Sequence, residues 1–291
     1  MSWTVGLLLS ALFLLLLVPE LLDFSWDKLA CVLLSIAGSA LLMLLFYRTS
    51  VTRVRSAMPI VVFTLLYSAT TSIHCSWTAA LMLICLLIVM LLLLSVYRNE
   101  LAVEESFIAT LLISIVAAAW YPLFAVYILT VWLMLLFERS LSMRTLLAGA
   151  IGAAVVALYA LIADFAGWTA IEQQMPETNS LQQMVLIAWT LFFIVWSYLD
   201  IGRQVTPVRL LLYFVLLIYL IGILMSTLGL LIDSNLTPQM SAIGTISTFL
   251  SLTAAATYCF CKRETVFTGV VFLIFTLFFF TLKVLNIIGI Q

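Results

Sequence analysis

The chain has 291 residues, of which 66% are hydrophobic and only 9% charged, with a mean hydropathy of +1.29 and a formal net charge of −1. That composition excludes an ordinary soluble domain, in which about a quarter of residues are charged, and without a basic stripe it excludes a nucleic-acid partner. It predicts an all-α fold: a polytopic integral membrane helical bundle, with residues 1–291 forming a single transmembrane helical domain and no soluble domain.

In chain order, the first apolar stretch is WTVGLLLSALFLLLLV within residues 3–19. No Lys or Arg precedes it and no small-x-small site follows, so it reads as a first membrane span and not as a cleaved leader. The loop VPELLDFSWDKL (18–29) then gathers Glu20, Asp23 and Asp27. Clustered carboxylates at a membrane surface suit a general base or the ligands of a metal-bound sugar phosphate. A plainer reading is that acids collect on the side from which positive charge is excluded.

A second span over 29–47 leads into YRTSVTRVR (47–55), the most basic loop. Arg48, Arg53 and Arg55 there suit anionic lipid headgroups or another phosphate. Spans at 58–73 and 77–97 flank the tip SIHCSW (72–77), which holds His74, the one histidine. Adjacent Cys75 and His74 lack an orienting third group, so His74 reads as an interfacial polar residue. The five cysteines show neither a disulfide framework nor zinc-ligand spacing, and no cofactor or metal is expected.

The apolar run 106–137 contains AAAWYPLF (117–124) and poses the main topological choice. One helix of roughly 32 residues would rise about 48 Å, well beyond a bilayer core of about 30 Å, whereas two passes would rise about 24 Å each. The distribution of basic residues makes the same choice. With two passes and a cytoplasmic N-terminus, ten of the 12 Lys and Arg residues fall inside, and only Lys28 and Lys283 fall outside. With one pass only five of the 12 fall inside. Trp120, Tyr121 and Pro122 are therefore expected at an outer turn, where proline opens a new helix at little cost and the two aromatic side chains suit the interface. Because both passes are short, this tip is expected to be recessed among neighbouring helices or a water-filled cavity. The segment 58–97 resembles 106–137 as a second positively bounded hairpin with a Trp at its tip, a possible internal repeat.

Further on, LLAGAIGAAVVALYALIA (146–163) is rich in small residues. Gly149 with Ala153, and Ala150 with Ala154, have the spacing for close helix approach, so this span and its Gly152 are expected near the centre of the bundle. The long outer loop DFAGWTAIEQQMPETNS (164–180) could act as a lid. Spans at 181–199, 209–232, 239–260 and 265–282 complete about 11 crossings with the C-terminus outside. One of these spans carries SAIGTISTFLSLTAAAT (241–257), whose hydroxyls either bond to the preceding turn and neighbouring helices or line a polar path.

The order VEESFIATLLISIVAAAWYPLFAVYILTVWLMLLFERSLSMRTLLAGAIG (103–152) resembles a family of uncharacterised multi-pass inner-membrane proteins of Bacteroidota. Members share the short helix ending in an aromatic-Pro turn, an Arg-containing inner loop and a helix opening toward Gly. The resemblance implies a bacterial inner membrane and transfers no catalytic residue. The acidic first loop resembles, in placement, the class C glycosyltransferases that use polyprenyl-linked sugars.

Three functions fit these features. The first is a non-catalytic subunit or scaffold of a cell-envelope assembly or export system, with membrane lipids and other membrane subunits as partners. The second is a membrane enzyme or carrier acting on polyprenyl-linked or other lipid-linked glycan precursors, with Glu20, Asp23 and Asp27 as its candidate catalytic groups. The third is a small-solute transporter, which the scarcity of mid-span charge disfavours.

Overall fold

The computed structural model describes residues 8–12, 26–49, 56–70, 76–96, 102–138, 140–165, 180–199, 201–231, 237–262 and 265–288. Among these the regular structure is helical. The order is α1 (Trp26–Arg48), α2 (Met58–Ala69), α3 (Trp77–Val96), α4 (Ala102–Ala119), a 3-10 turn (Pro122–Val126), α5 (Tyr127–Phe137) and α6 (Met143–Phe165). Then follow α7 (Ser180–Tyr198), a second 3-10 turn (Ile201–Arg203), α8 (Thr206–Leu231), α9 (Thr237–Lys262) and α10 (Val266–Ile288). Seven helices, α1, α3, α4, α6, α8, α9 and α10, are long and apolar enough to cross a membrane. Of the expected first span over 3–19 only residues 8–12, which are helical, are among the described residues.

Polar cross-links fix the path. Tyr67 at the end of α2 donates to Cys31 O near the start of α1 at 2.9 Å, and Gln182 at the start of α7 donates to Ala69 O, also at 2.9 Å. Trp77 and Trp120 meet edge to face with centroids 5.5 Å apart. Gln183 donates to Ser226 near the end of α8 at 2.6 Å. These contacts define one end of the bundle, here termed the tip end. At the opposite, base end, Ser95 bonds Glu105, Ser106 donates to Thr145 O, Tyr198 donates to Leu212 O, and Lys262 bonds Gln204. The chain therefore runs up and down, each helix antiparallel to the next.

The apolar run around Pro122 is broken, and the local chemistry shows why. Proline supplies no N–H and cannot continue α4, so the helix closes on Val116 O, which accepts from Trp120 N at 3.0 Å and Tyr121 N at 3.4 Å. Phe124 N then donates to Tyr121 O at 2.7 Å and starts the 3-10 turn. Tyr121 and Phe124 are completely buried while Pro122 is exposed. The tip thus anchors the rings of Tyr121 and Phe124 among the helices and satisfies the N–H groups of Trp120, Tyr121 and Phe124 within its own turn.

α2 is short for the neighbour of a membrane span, rising about 18 Å. It is enclosed by α1, α9 and α10, with Pro59 and every residue from Val61 to Ala69 buried. Two of its terminal carbonyls are met: Leu66 O accepts from the backbone and hydroxyl of Thr70, and Ala69 O from Gln182.

One expectation is corrected. The small-residue helix α6 lies at the periphery, packed chiefly on α4, and from Met143 to Ile162 it buries only the stripe Thr145, Gly149, Gly152 and Val156. Ala150 and Ala154 are exposed and Ala153 half-buried, because at 3.6 residues per turn they fall away from that stripe. The enclosed helix is α9, touched by α2, α3, α7, α8, α10 and the 3-10 turn, with every residue from Ala242 to Phe260 buried. Around α7, α9 and α10 the packing is aromatic: Trp189, Phe193, Phe260, Phe275 and Phe279 interleave at centroid separations of 4.9–6.4 Å.

Candidate functional site

Three polar places stand out in an otherwise apolar molecule. The first is the seam along α9. Its hydroxyls bond largely to the preceding turn: Thr245 to Ser241 O, Ser247 to Ile243 O, Thr248 to Gly244 O and Thr253 to Phe249 O, at 2.6–3.0 Å. Others cross between helices, Ser251 to Val215 O at 3.1 Å and Thr190 to Thr248 O at 3.3 Å. Tyr127, at the first turn of α5, bonds Ser247 from inside the core. Bonds at Ser247, Thr248 and Ser251 thus tie α9 to α5, α7 and α8, while Thr257 Oγ1 is buried without a partner.

The Tyr127–Ser247 bond has a measurable value. Tyr127→Phe should lower stability by about 1 kcal/mol, the scale of interhelical hydrogen bonds in membranes. A double-mutant cycle with Ser247→Ala, followed by thermal unfolding in detergent, should recover most of that loss as coupling.

The second place is the tip, where Trp120 leans on Trp77 and Tyr121 is buried beside exposed Pro122. The third is the base of the α4–α5 hairpin. Glu105, in the first turn of α4, is only 8% exposed, and its Oε1 accepts from Ser95 at 2.7 Å. Glu138 follows the last residue of α5, and burial, with Glu105 as a second cause, pushes its carboxyl up to about 8. Neither glutamate stands out in a linear reading of the sequence. The signal was the two-pass topology itself, which brings the start of one pass and the end of the next to the same end of the bundle.

The structure separates the residues singled out in the sequence. Asp27 is exposed in the first turn of α1 at the tip end, and Arg48 is exposed at the base end of the same helix. Glu20, Asp23, Arg53, Arg55 and His74 lie outside the described residues. Gly149 and Gly152 face α4. A Cβ on Gly149 would meet Trp132 Nε1 at 2.8 Å and Ser106 Oγ at 3.1 Å, and one on Gly152 would meet Thr110 Oγ1 at 2.7 Å and Phe107 O at 2.8 Å. Among the described residues no three His, Cys, Asp or Glu side chains converge as metal ligands would.

Fold and polar geometry define a class: an all-helical, apolar-rich bundle with seven helices long enough to span a membrane. Comparison with protein-family models, curated proteins and solved structures finds no match to this chain.

Proposed function

We propose that the protein crosses a bacterial inner membrane 11 times, with its base end in the cytoplasm, and serves as a non-catalytic subunit or scaffold of a cell-envelope assembly or export system. The observation that carries the scaffold reading is the buried seam along α9, where most hydroxyls bond to the preceding turn and bonds at Ser247, Thr248 and Ser251 tie it to neighbouring helices. Orientation is supported by charge. Of the 12 basic residues, Arg48, Arg53, Arg55, Arg98, Arg139, Arg144, Arg203, Arg209, Lys262 and Arg263 all fall, by sequence, at or between base-end helix termini. Only Lys28 and Lys283 belong to the other end. The inner-membrane assignment rests on this bias and on the resemblance over 103–152.

Both halves of the proposal can be tested. A cysteine replacing Leu123, beside the tip, should react with a membrane-impermeant thiol reagent added from the outer side; labelling only from the cytoplasmic side would overturn the orientation. Purification from native membranes in mild detergent should bring down envelope proteins in constant ratio. A monodisperse protein with no companion would count against the scaffold.

A second reading, an enzyme or carrier for polyprenyl-linked precursors, is favoured by one observation: Asp27 is exposed at the tip end, where the proposed orientation puts the outer leaflet. Replacing Glu20, Asp23 and Asp27 together with Gln and Asn would abolish that activity and leave a scaffold intact.

A further inference from the structure

The base of the α4–α5 hairpin carries chemistry that helix packing does not use. The Ser95 hydroxyl at the end of α3 holds the Glu105 carboxyl by one oxygen, Oε1, at 2.7 Å. The other oxygen, Oε2, is buried without a hydrogen-bond partner, and so are both carboxyl oxygens of Glu138. Glu105 itself is more than nine-tenths enclosed. Because α4 and α5 are antiparallel, the start of one and the end of the other lie side by side, and Glu105 acts electrostatically on Glu138.

Two ionised carboxylates in that position are unfavourable for three reasons. Both have lost water, and the only donor gained is the Ser95 hydroxyl on one oxygen of Glu105. They repel one another in a poorly screened setting. Glu138 also sits at the C-terminal end of α5, where the helix dipole disfavours negative charge. Charged side chains on the surrounding helices do not offset this. Among the described residues Arg48, Glu104, Arg144, Arg203, Arg209 and Lys262 are the other charged groups at this end; Arg209 bonds Thr206 at 3.3 Å and Lys262 bonds Gln204. Among the described residues only Glu105 contributes to the charge environment of Glu138. Among the described residues no positive charge acts on Glu138, and the unpartnered oxygens expose essentially no surface to a metal ion. The cation that needs no volume is a proton.

We propose that Glu138, set by Glu105 and Ser95, is a proton-binding site at the base of the α4–α5 hairpin, so that the assembled bundle holds a neutral carboxyl there. Proton binding at this site is coupled to packing, because loss of the proton places two negative charges between the ends of α3, α4 and α5. The sign follows from a carboxyl raised from an ordinary 4.5 to about 8. The packed arrangement is most favoured below about 4.5 and weakens progressively as pH rises through about 8, because over that interval the packed state holds a proton that the separated state does not.

The test is infrared titration of the carboxyl C=O band, with the full-length protein in lipid nanodiscs. The wild type should show a neutral carboxyl at pH 7 that disappears around pH 8. Glu138→Gln should lack that band and lose the decline in thermal stability between pH 5 and pH 8. Glu105→Gln should keep the band but move its disappearance to lower pH, as expected on removing a neighbouring negative charge. A wild type without a neutral carboxyl at pH 7, or a band unchanged in Glu138→Gln, overturns the proposal. Should Glu138→Gln fail to fold, the Glu105→Gln titration decides, and an unmoved band there overturns it equally.

Discussion

Gly244→Val should prevent the bundle from assembling. Gly244 on α9 and Gly222 on α8 sit at a crossing where the two backbones approach closely. A Cβ on Gly244 would lie 3.2 Å from Gly222 O and 2.9 Å from Gln183 Nε2, and would also collide with Ser226 Oγ. From the other side, a Cβ on Gly222 would meet Ser247 Cβ at 2.8 Å and Gly244 O at 3.3 Å. A flexible side chain could turn away, but Gly222 O is backbone and Ser226 and Gln183 are tied together by their own bond at 2.6 Å. The insertion therefore has to push α8 and α9 apart at the centre of the molecule, where α9 is surrounded. Overpacking of this kind costs about 1–3 kcal/mol in cores that can adjust, and more where they cannot. The crossing belongs to the second group. The measurement is the folded, monodisperse fraction after detergent extraction, with Gly269→Val as the control: a Cβ there meets nothing, and that variant should match the wild type.

The same crossing explains what was legible in the sequence and what was not. The break at Pro122 could be read because proline acts locally and because the side of every later loop depends on it. The identity of the central helix could not be read from small residues. A stripe of glycine and alanine announces that one neighbour comes close, and it says nothing about how many neighbours there are. α6 has such a stripe and one principal neighbour. The better signal was polarity: among the seven long helices α9 is the least hydrophobic, and it is the one that is fully enclosed. A hydroxyl-rich segment is tolerated where other helices cover it, while a uniformly apolar one such as α6 can face lipid.

The carboxyl pair was hidden for a different reason. Glu104, Glu105 and Glu138 all fall within a turn of a helix end, where exposed acids are ordinary, and nothing in a linear pattern tells which of three glutamates turns inward. Once α4 and α5 are placed antiparallel, Glu105 and Glu138 become neighbours by construction, and Ser95 reaches the same point from α3. Burial then distinguishes Glu105 from the exposed Glu104 beside it.

Gly152→Val should produce a different failure, local and not global, and the contrast tests the peripheral placement of α6. A Cβ at Gly152 would lie 2.8 Å from Phe107 O and 3.3 Å from Leu111 N, both backbone atoms of α4, as well as 2.7 Å from Thr110 Oγ1. Thr110 cannot easily give way, since its hydroxyl is already bonded back to Ser106 O at 2.8 Å. The two helices must separate along the stripe of Thr145, Gly149, Gly152 and Val156. Because α6 packs chiefly on α4, and α9 holds the remaining helices, that separation leaves the core intact. Hydrogen–deuterium exchange in detergent should rise along α6 and its facing turns of α4, while α9 stays as protected as in the wild type. Ser142 and Thr145, which bond reciprocally at the start of α6, should keep its first turn formed even when the helix is released. Loss of protection in α9 would mean that α6 supports the centre after all, and protection retained in α6 would mean that the backbone contact at Gly152 does not hold the two helices together.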